Sequence, residues 1–284
     1  METAIVGENK SQWGEGPLWW EGALYYVDIE GHRVWRFDPS TGEETSWDVG
    51  ERVGTVVPRA SGGLVIAGDS GFRFLDPGSG ELTPIADPEK DKLDNRFNDG
   101  KCSPDGRFFA GSISLKKRIG DAALYRLDAD LSVTKAFSGV TNSNGIVWTA
   151  DGSAVFYIDT PRREVLGFDY DPVTGELSDL RTEFSTSEAV DASPDGMAID
   201  AEGNLWIAFC HGSCVVCFDE DGKELRRVEL PCREVTAVAF GGEDLADLYV
   251  TTGIPKDDIE PEAGHLFVVK GLGVTGMPAH AFAG

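Results

Sequence analysis

Short apolar runs, each entered through a glycine-bearing turn, recur along the whole chain. The runs lie at 23–28 (Ala-Leu-Tyr-Tyr-Val-Asp), 64–68, 107–111, 153–159, 204–209 and 248–251. Their turns carry Gly22, Gly63, Gly106, Gly152, Gly203 and Gly242, roughly 39 to 51 residues apart. Runs of this length between turn residues predict strands, and a period of about 40–50 residues is that of four-stranded propeller blades. Later strands repeat as well. Arg33-Val34-Trp35-Arg36-Phe37-Asp38 followed by Pro39-Ser40-Thr41-Gly42 matches Val165-Leu166-Gly167-Phe168-Asp169-Tyr170-Asp171 followed by Pro172-Val173-Thr174-Gly175. Asp-Pro-x-x-Gly is turn chemistry, because proline fixes φ and glycine accepts a positive one.

No segment sustains a 3.6-residue period, so helices are expected to be few. The predicted fold is all-β: a six-bladed β-propeller with four antiparallel strands per blade. It forms one domain over 1–284, with the repeat beginning near residue 13. Gly271-Leu272-Gly273-Val274-Thr275-Gly276 has the spacing of a dinucleotide fingerprint. That pattern works only between a strand and a helix, and Pro278 follows here, so a loop is expected.

Charge narrows the partners. With 25 Lys+Arg against 49 Asp+Glu the net charge is −24, which repels phosphate backbones and anionic lipid and argues against nucleic-acid and membrane roles. No apolar stretch reaches membrane-spanning length, and the start Met1-Glu2-Thr3-Ala4 lacks the basic and apolar regions of a secretion signal. A cytoplasmic location is expected. The five cysteines, Cys102, Cys210, Cys214, Cys217 and Cys232, are odd in number and unevenly spaced, unlike a disulfide framework. Cys214 and Cys217 lie in a strand-like run. Residues three apart on a strand face opposite ways, so this pair reads as buried thiols and not as a metal site.

Candidate chemistry emerges when the blades are aligned on their glycines. Upstream of each, where the innermost strand begins, stand Glu15, Asn98 with Asp99, Asn144 and Asp195, with Glu234 and Thr236 in the sixth copy and only Arg52-Val53-Gly54-Thr55 in the second. Innermost strands line the channel of a propeller. Carboxylates and amides converging there would repel one another unless a cation sat among them. Oxygen donors suit a hard divalent ion, Ca²⁺ first, with Mg²⁺, Mn²⁺ or Zn²⁺ compatible. The competing explanation is that Glu-Gly, Asn-Gly and Asp-Gly are turn formers at the starts of strands, and periodicity alone does not decide between the two.

The same residues carry a family resemblance. Trp13-Gly14-Glu15-Gly16-Pro17-Leu18-Trp19, Asn95-Arg96-Phe97-Asn98-Asp99-Gly100, Asn142-Ser143-Asn144-Gly145 and Pro194-Asp195-Gly196-Met197, in that order, resemble the signature segments of the regucalcin/gluconolactonase/luciferin-regenerating enzyme-like family. The resemblance covers essentially the whole chain. It implies one divalent metal ion held by Glu15, Asn144 and Asp195, with Arg96 and Asn98 on the substrate. It also implies hydrolysis of a sugar lactone, an aldonolactone, to the sugar acid.

Asp195 is then the candidate general base, although an adjacent cation weakens a carboxylate as a base, and activation of water by the cation is the alternative. Other hydrolases on this scaffold, an esterase or phosphotriesterase, and a non-catalytic calcium-binding or interaction propeller are the competing functions. The chain departs from the family after Gly111. Where acidic residues are common, the loop reads Ser112-Ile113-Ser114-Leu115-Lys116-Lys117-Arg118-Ile119. The three bases fit either an anionic substrate or a solvated loop. None of His32, His211, His265 and His280 is paired at metal-ligand spacing, and His211 reads as part of a surface turn.

Overall fold

The computed structural model describes residues 1–257 and 260–284. Its strands form six four-stranded antiparallel sheets, the blades of a propeller. The innermost strands of blades 1 to 6 are Gly14–Trp20, Val53–Pro58, Asn95–Cys102, Ser143–Trp148, Ser193–Ile199 and Val235–Gly241. The six repeat glycines sit in the turns that follow these strands. All six have positive φ, from 69° at Gly152 to 90° at Gly203, a region closed to most side chains. The repeat read from the sequence is thus a repeat of backbone conformation.

Neighbouring blades pack face to face through large side chains. Between blades 2 and 3, Phe72 lies 4.7 Å from Phe97 and 5.6 Å from Phe108, ring centre to ring centre, and all three are buried. Between blades 5 and 6, Trp206 meets Phe240 edge-on at 5.7 Å. Tilted and edge-on pairs are the favoured aromatic geometry.

Two features of the chain ends lie outside the predicted pattern. Glu2–Val6 is a strand, antiparallel to Leu266–Lys270 from Glu2↔Lys270 to Val6↔Leu266. It is the outermost strand of blade 6, so the two ends of the chain close the ring. Four of its five residues are exposed, which explains why it shows no apolar alternation.

The segment after Lys270 crosses the face where the innermost strands end. Ala201 N donates to Thr275 O (2.8 Å) and Met277 N to Ile199 O (3.3 Å), which anchors it on blade 5. Phe282 N donates to Pro58 O and Ala60 N to Phe282 O, both at 2.8 Å, which anchors it on blade 2. Blades 2 and 5 are opposite in a six-membered ring, so Met277–His280 straps that end of the channel. The Gly271–Gly276 fingerprint is loop within this strap, as its context required. Beneath the strap is a cavity of about 140 Å³ lined mainly by apolar residues, including Trp19, Trp148 and Phe240.

Cys214–Phe218 is a strand, and all five cysteines are free and buried. Among the described residues no helix is long and apolar enough to cross a membrane. The helical content described is the 3-10 turn Thr160–Arg162.

Candidate metal centre and substrate pocket

Every innermost strand breaks register with its neighbour at one place. The shifts fall between Glu15 and Leu18, Val53 and Thr55, Phe97 and Gly100, Ser143 and Ile146, Pro194 and Met197, and Val235 and Ala237. A bulge re-aims side chains that an even pleat would send into the blade. The column of polar residues coincides with these bulges.

Its glycines have a packing reason. A Cβ on Gly196 would stand 2.3 Å from the Ala237 Cβ, and one on Gly145 2.5 Å from the Met197 Cβ. Neither glycine has a positive φ. Near the axis adjacent strands approach too closely for a side chain, so Asn144-Gly145 and Asp195-Gly196 are not turns.

In blades 2 and 6 the column is structural. Thr55 donates to Gly100 O (2.9 Å) and Thr236 to Gly14 O (2.6 Å), each hydroxyl tying its blade to the next. The other four blades contribute Glu15, Asn98 with Asp99, Asn144 and Asp195, all buried. The structure brings the expected Glu15, Asn144 and Asp195 to one end of the channel, with Arg96 and Asn98 beside them.

The acids crowd one another. Burial, then the charge of Asp99, raises Glu15 from 4.5 to about 8, and Gly16 N (2.9 Å) only partly opposes this. Burial, then Glu15 and Asp99, holds Asp195 well above the usual carboxylate range. Asp99 is raised by burial too. Asp195 Oδ1 is buried with no hydrogen-bond partner among the described residues. Buried carboxyls that crowd one another in this way resist ionisation unless positive charge is placed among them. The donors Glu15, Asn144 and Asp195 offer only oxygen, and they fit a hard divalent ion.

A directed chain of hydrogen bonds orders the amides. Arg96 Nη1 donates to Asn98 Oδ1 (2.7 Å), Asn98 Nδ2 to Asn144 Oδ1 (2.9 Å), Asn144 Nδ2 to Thr160 Oγ1 (2.7 Å), and Thr160 Oγ1 to Pro194 O (2.9 Å). The Thr160 contact fixes which end of Asn144 faces inward, namely its oxygen. That oxygen has a second lone pair beyond the bond from Asn98.

Arg96 is buried, which presses its guanidinium down to about 10, still charged at neutral pH. Its Nε has no partner, and it forms no ion pair among the described residues. An interblade ion pair is therefore not its role. Lys101 lies deeper, its ammonium lowered by burial and bonded to Met197 O. It lines both the inner channel and the apolar cavity under the strap.

The basic loop is less basic than it reads. Arg118 pairs with Asp94 at 2.8 Å and Asp121 at 3.5 Å, while Lys116 and Lys117 are exposed. Sequence reasoning passed over Thr160, for which position beside a proline gave no signal. It also passed over a cluster of Cys210, His211 and Glu234, whose donor atoms lie within 4.8 Å of one another. Spacing along the chain could not reveal it, because Glu234 comes from the next blade.

Comparisons with known proteins bear on the family and fold of the chain as a whole. Residues 13–254 match the family model described as the SMP-30/Gluconolactonase/LRE-like region. Regucalcin of Danio rerio is 43% identical over 294 residues, covering 100% of this chain and 99% of that protein. A luciferin-regenerating enzyme superposes with a TM-score of 0.92 at 30% identity, over 99% of this chain and 100% of that one. A regucalcin from Agrobacterium tumefaciens, described as a calcium-binding protein, gives 0.92 at 26% identity over 98% and 96%.

Proposed function

The chain belongs to the SMP-30/gluconolactonase/LRE-like family, and from that premise we propose that it hydrolyses a sugar lactone with the help of one divalent cation. Glu15, Asn144 and Asp195 would hold the cation. When bound, it supplies charge that polarises the ester carbonyl and favours the developing oxyanion. The observation that carries the reading is the Asp195 Oδ1 left unpartnered among the described residues within a cluster of buried oxygens, next to a guanidinium that forms no ion pair among those residues.

The protein groups have distinct tasks. Arg96 keeps its charge in a buried setting, where a hydrogen bond to the ring oxygens of a sugar or to its carbonyl is worth more than in water. Asn98 is pinned between Arg96 and Asn144, its amide N–H groups bonded to Asn144 Oδ1 and Ser143 O, so it orients the guanidinium and keeps one Oδ1 lone pair for a sugar hydroxyl. Asp195 takes the proton of the attacking water. Burial and the neighbouring Glu15 and Asp99 hold it well above the usual carboxylate range, and a bound cation would favour the ionised form that can accept a proton. The strap over the other face leaves the ligand-bearing end as the way in.

The substrate assignment is an aldonolactone, neutral in charge. Arg118 is spent on two aspartates and the adjacent lysines are solvated, which favours the solvated-loop explanation over an anionic substrate. Acid release from a panel of neutral and anionic sugar lactones, with and without chelator, tests both points. Chelator-sensitive turnover, with the neutral lactones preferred and Lys116→Ala without effect, is expected. Chelator-insensitive turnover would remove the cation from the account. No turnover on any lactone would leave a calcium-binding propeller, the reading that the Agrobacterium relative's description supports.

A further inference from the structure

We propose that Cys210, His211 and Glu234 form a second metal site, beside the axial one and built from other donors, for a thiophilic divalent cation such as Zn²⁺. The three donors are a sulfur, a ring nitrogen and a carboxylate oxygen, all within 4.8 Å of one another. They converge on one atom. Glu234 Oε2 lies 3.1 Å from Cys210 Sγ and 2.7 Å from His211 Nδ1. Around a tetrahedral zinc, donors of these types are separated by roughly 3.3–3.7 Å. The two contacts to Glu234 Oε2 would each open by about half an ångström to admit the ion, giving up the bonds from Cys210 Sγ and His211 Nδ1 while the bond from His211 N (3.2 Å) still holds the carboxylate.

The backbone builds this arrangement. Cys210 ends the strand Leu205–Cys210 of blade 5, and it bridges to Glu234 at the start of the innermost strand of blade 6. The pair therefore stands side by side across two blades. The chain then reverses through His211 and Ser213, at φ of 67° and 54°. Non-glycine residues adopt that region at a cost, and such strain collects at functional sites. Here it folds the imidazole back over the carboxylate.

Glu234 is oriented by its other oxygen, which accepts from Arg233 Nε at 3.1 Å. Arg233 in turn pairs with Asp257 at 2.7 Å. A carboxylate held in this way is the usual outer support of a metal ligand. Glu234 and Cys210 are buried, whereas the His211 side chain is 58% exposed. The ion can arrive from solvent, and a fourth position stays open to water.

Charge and protons balance. On binding, the Cys210 thiol releases its proton to solvent, and a proton on His211 Nδ1 is exchanged for one on the other ring nitrogen. Thiolate, carboxylate and a dication then sum to zero. The competing use of these residues, a nucleophilic cysteine, does not fit. The thiol faces the carboxylate, and burial drives its pKa far up, where a nucleophile needs a base and a thiolate.

The site is testable apart from any lactonase activity, because the axial donors include no sulfur. Chelator-stripped full-length protein would be titrated with Co²⁺, the spectroscopic stand-in for Zn²⁺. A thiolate-to-cobalt charge-transfer band in the near ultraviolet is expected, saturating at one equivalent of this site and bleached by Zn²⁺. It should vanish in Cys210→Ser, need at least tenfold more metal in His211→Ala, and persist in Asp195→Asn. Absence of the band, its survival in Cys210→Ser, or its loss in Asp195→Asn would overturn the proposal. If Cys210→Ser fails to fold, the exposed His211 carries the test, and an unshifted midpoint in His211→Ala overturns it equally.

Discussion

At the scale of single residues, the axial cluster is a set of acids held in the wrong protonation state for open water. The consequence for stability has a definite sign. Glu15 is raised from 4.5 to about 8 in the folded chain, so the cation-free fold holds a proton that the unfolded chain releases. Stability therefore falls as pH rises from 4.5 to about 8 and flattens above it. Asp195 and Asp99, both raised, act in the same direction. A cation reverses the balance, since its binding expels the proton, and its affinity rises through the same window. Thermal melting of chelated protein across this range should show a declining midpoint, and saturating divalent metal should remove the decline. A midpoint that climbs with pH in the chelated protein would contradict the assignment.

The oxygen column was legible in the sequence because it recurs at one position in successive repeats. What the sequence left open was whether the following glycines were turn formers. Gly145 and Gly196 answer that at the level of packing: a Cβ on either would collide with the next blade. The identity of a residue does not state which neighbour approaches it, so that reason was not legible. Cys210, His211 and Glu234 illustrate the same limit, since their proximity exists only after blades 5 and 6 are laid side by side.

At the scale of elements, a short helical turn has a large effect. Thr160–Arg162 follows the second strand of blade 4, and its first residue orients Asn144 by accepting a 2.7 Å bond from it while donating its own hydroxyl hydrogen to Pro194 O. Thr160→Val keeps the shape and removes both bonds. Outer supports of metal ligands are typically worth about 10–100-fold in affinity. Calorimetric titration of the stripped variant should show divalent binding at the axial site weakened by roughly that factor, with the fold intact by circular dichroism. Unchanged affinity would mean that the hydrogen-bond chain from Arg96 to Pro194 is incidental. The bulges belong to this scale as well. The sequence predicted strands at the right places, but a bulge has no residue code of its own beyond a polar side chain beside a glycine.

The whole molecule is closed twice. The first strand completes the last blade, and the final residues strap the face opposite the ligands. Neither was foreseen, because Glu2–Val6 is mostly exposed and the strap has no periodic pattern to read. Phe282 is the strap's anchor, fully buried among Val57, Phe97 and Phe108 and bonded through its backbone to Pro58 and Ala60. Phe282→Ala should cost about 3–5 kcal/mol, measured by denaturant unfolding. A cost below about 1 kcal/mol would show that the strap rests on the blades without holding them.

The strap also defines which face of the ring admits substrate, so the axial oxygens and the entrance belong to one end. The claim that joins these scales is that Glu15, Asn144 and Asp195 serve a cation without which the lactone is not opened. The direct measurement is aldonolactone hydrolysis by chelator-stripped wild type and Glu15→Gln as divalent metal is added back. The expected result is no turnover in the stripped protein, saturable recovery in the wild type, and recovery in Glu15→Gln only at tenfold or more higher metal. Full activity in the stripped protein, or identical recovery curves for the two, would contradict it.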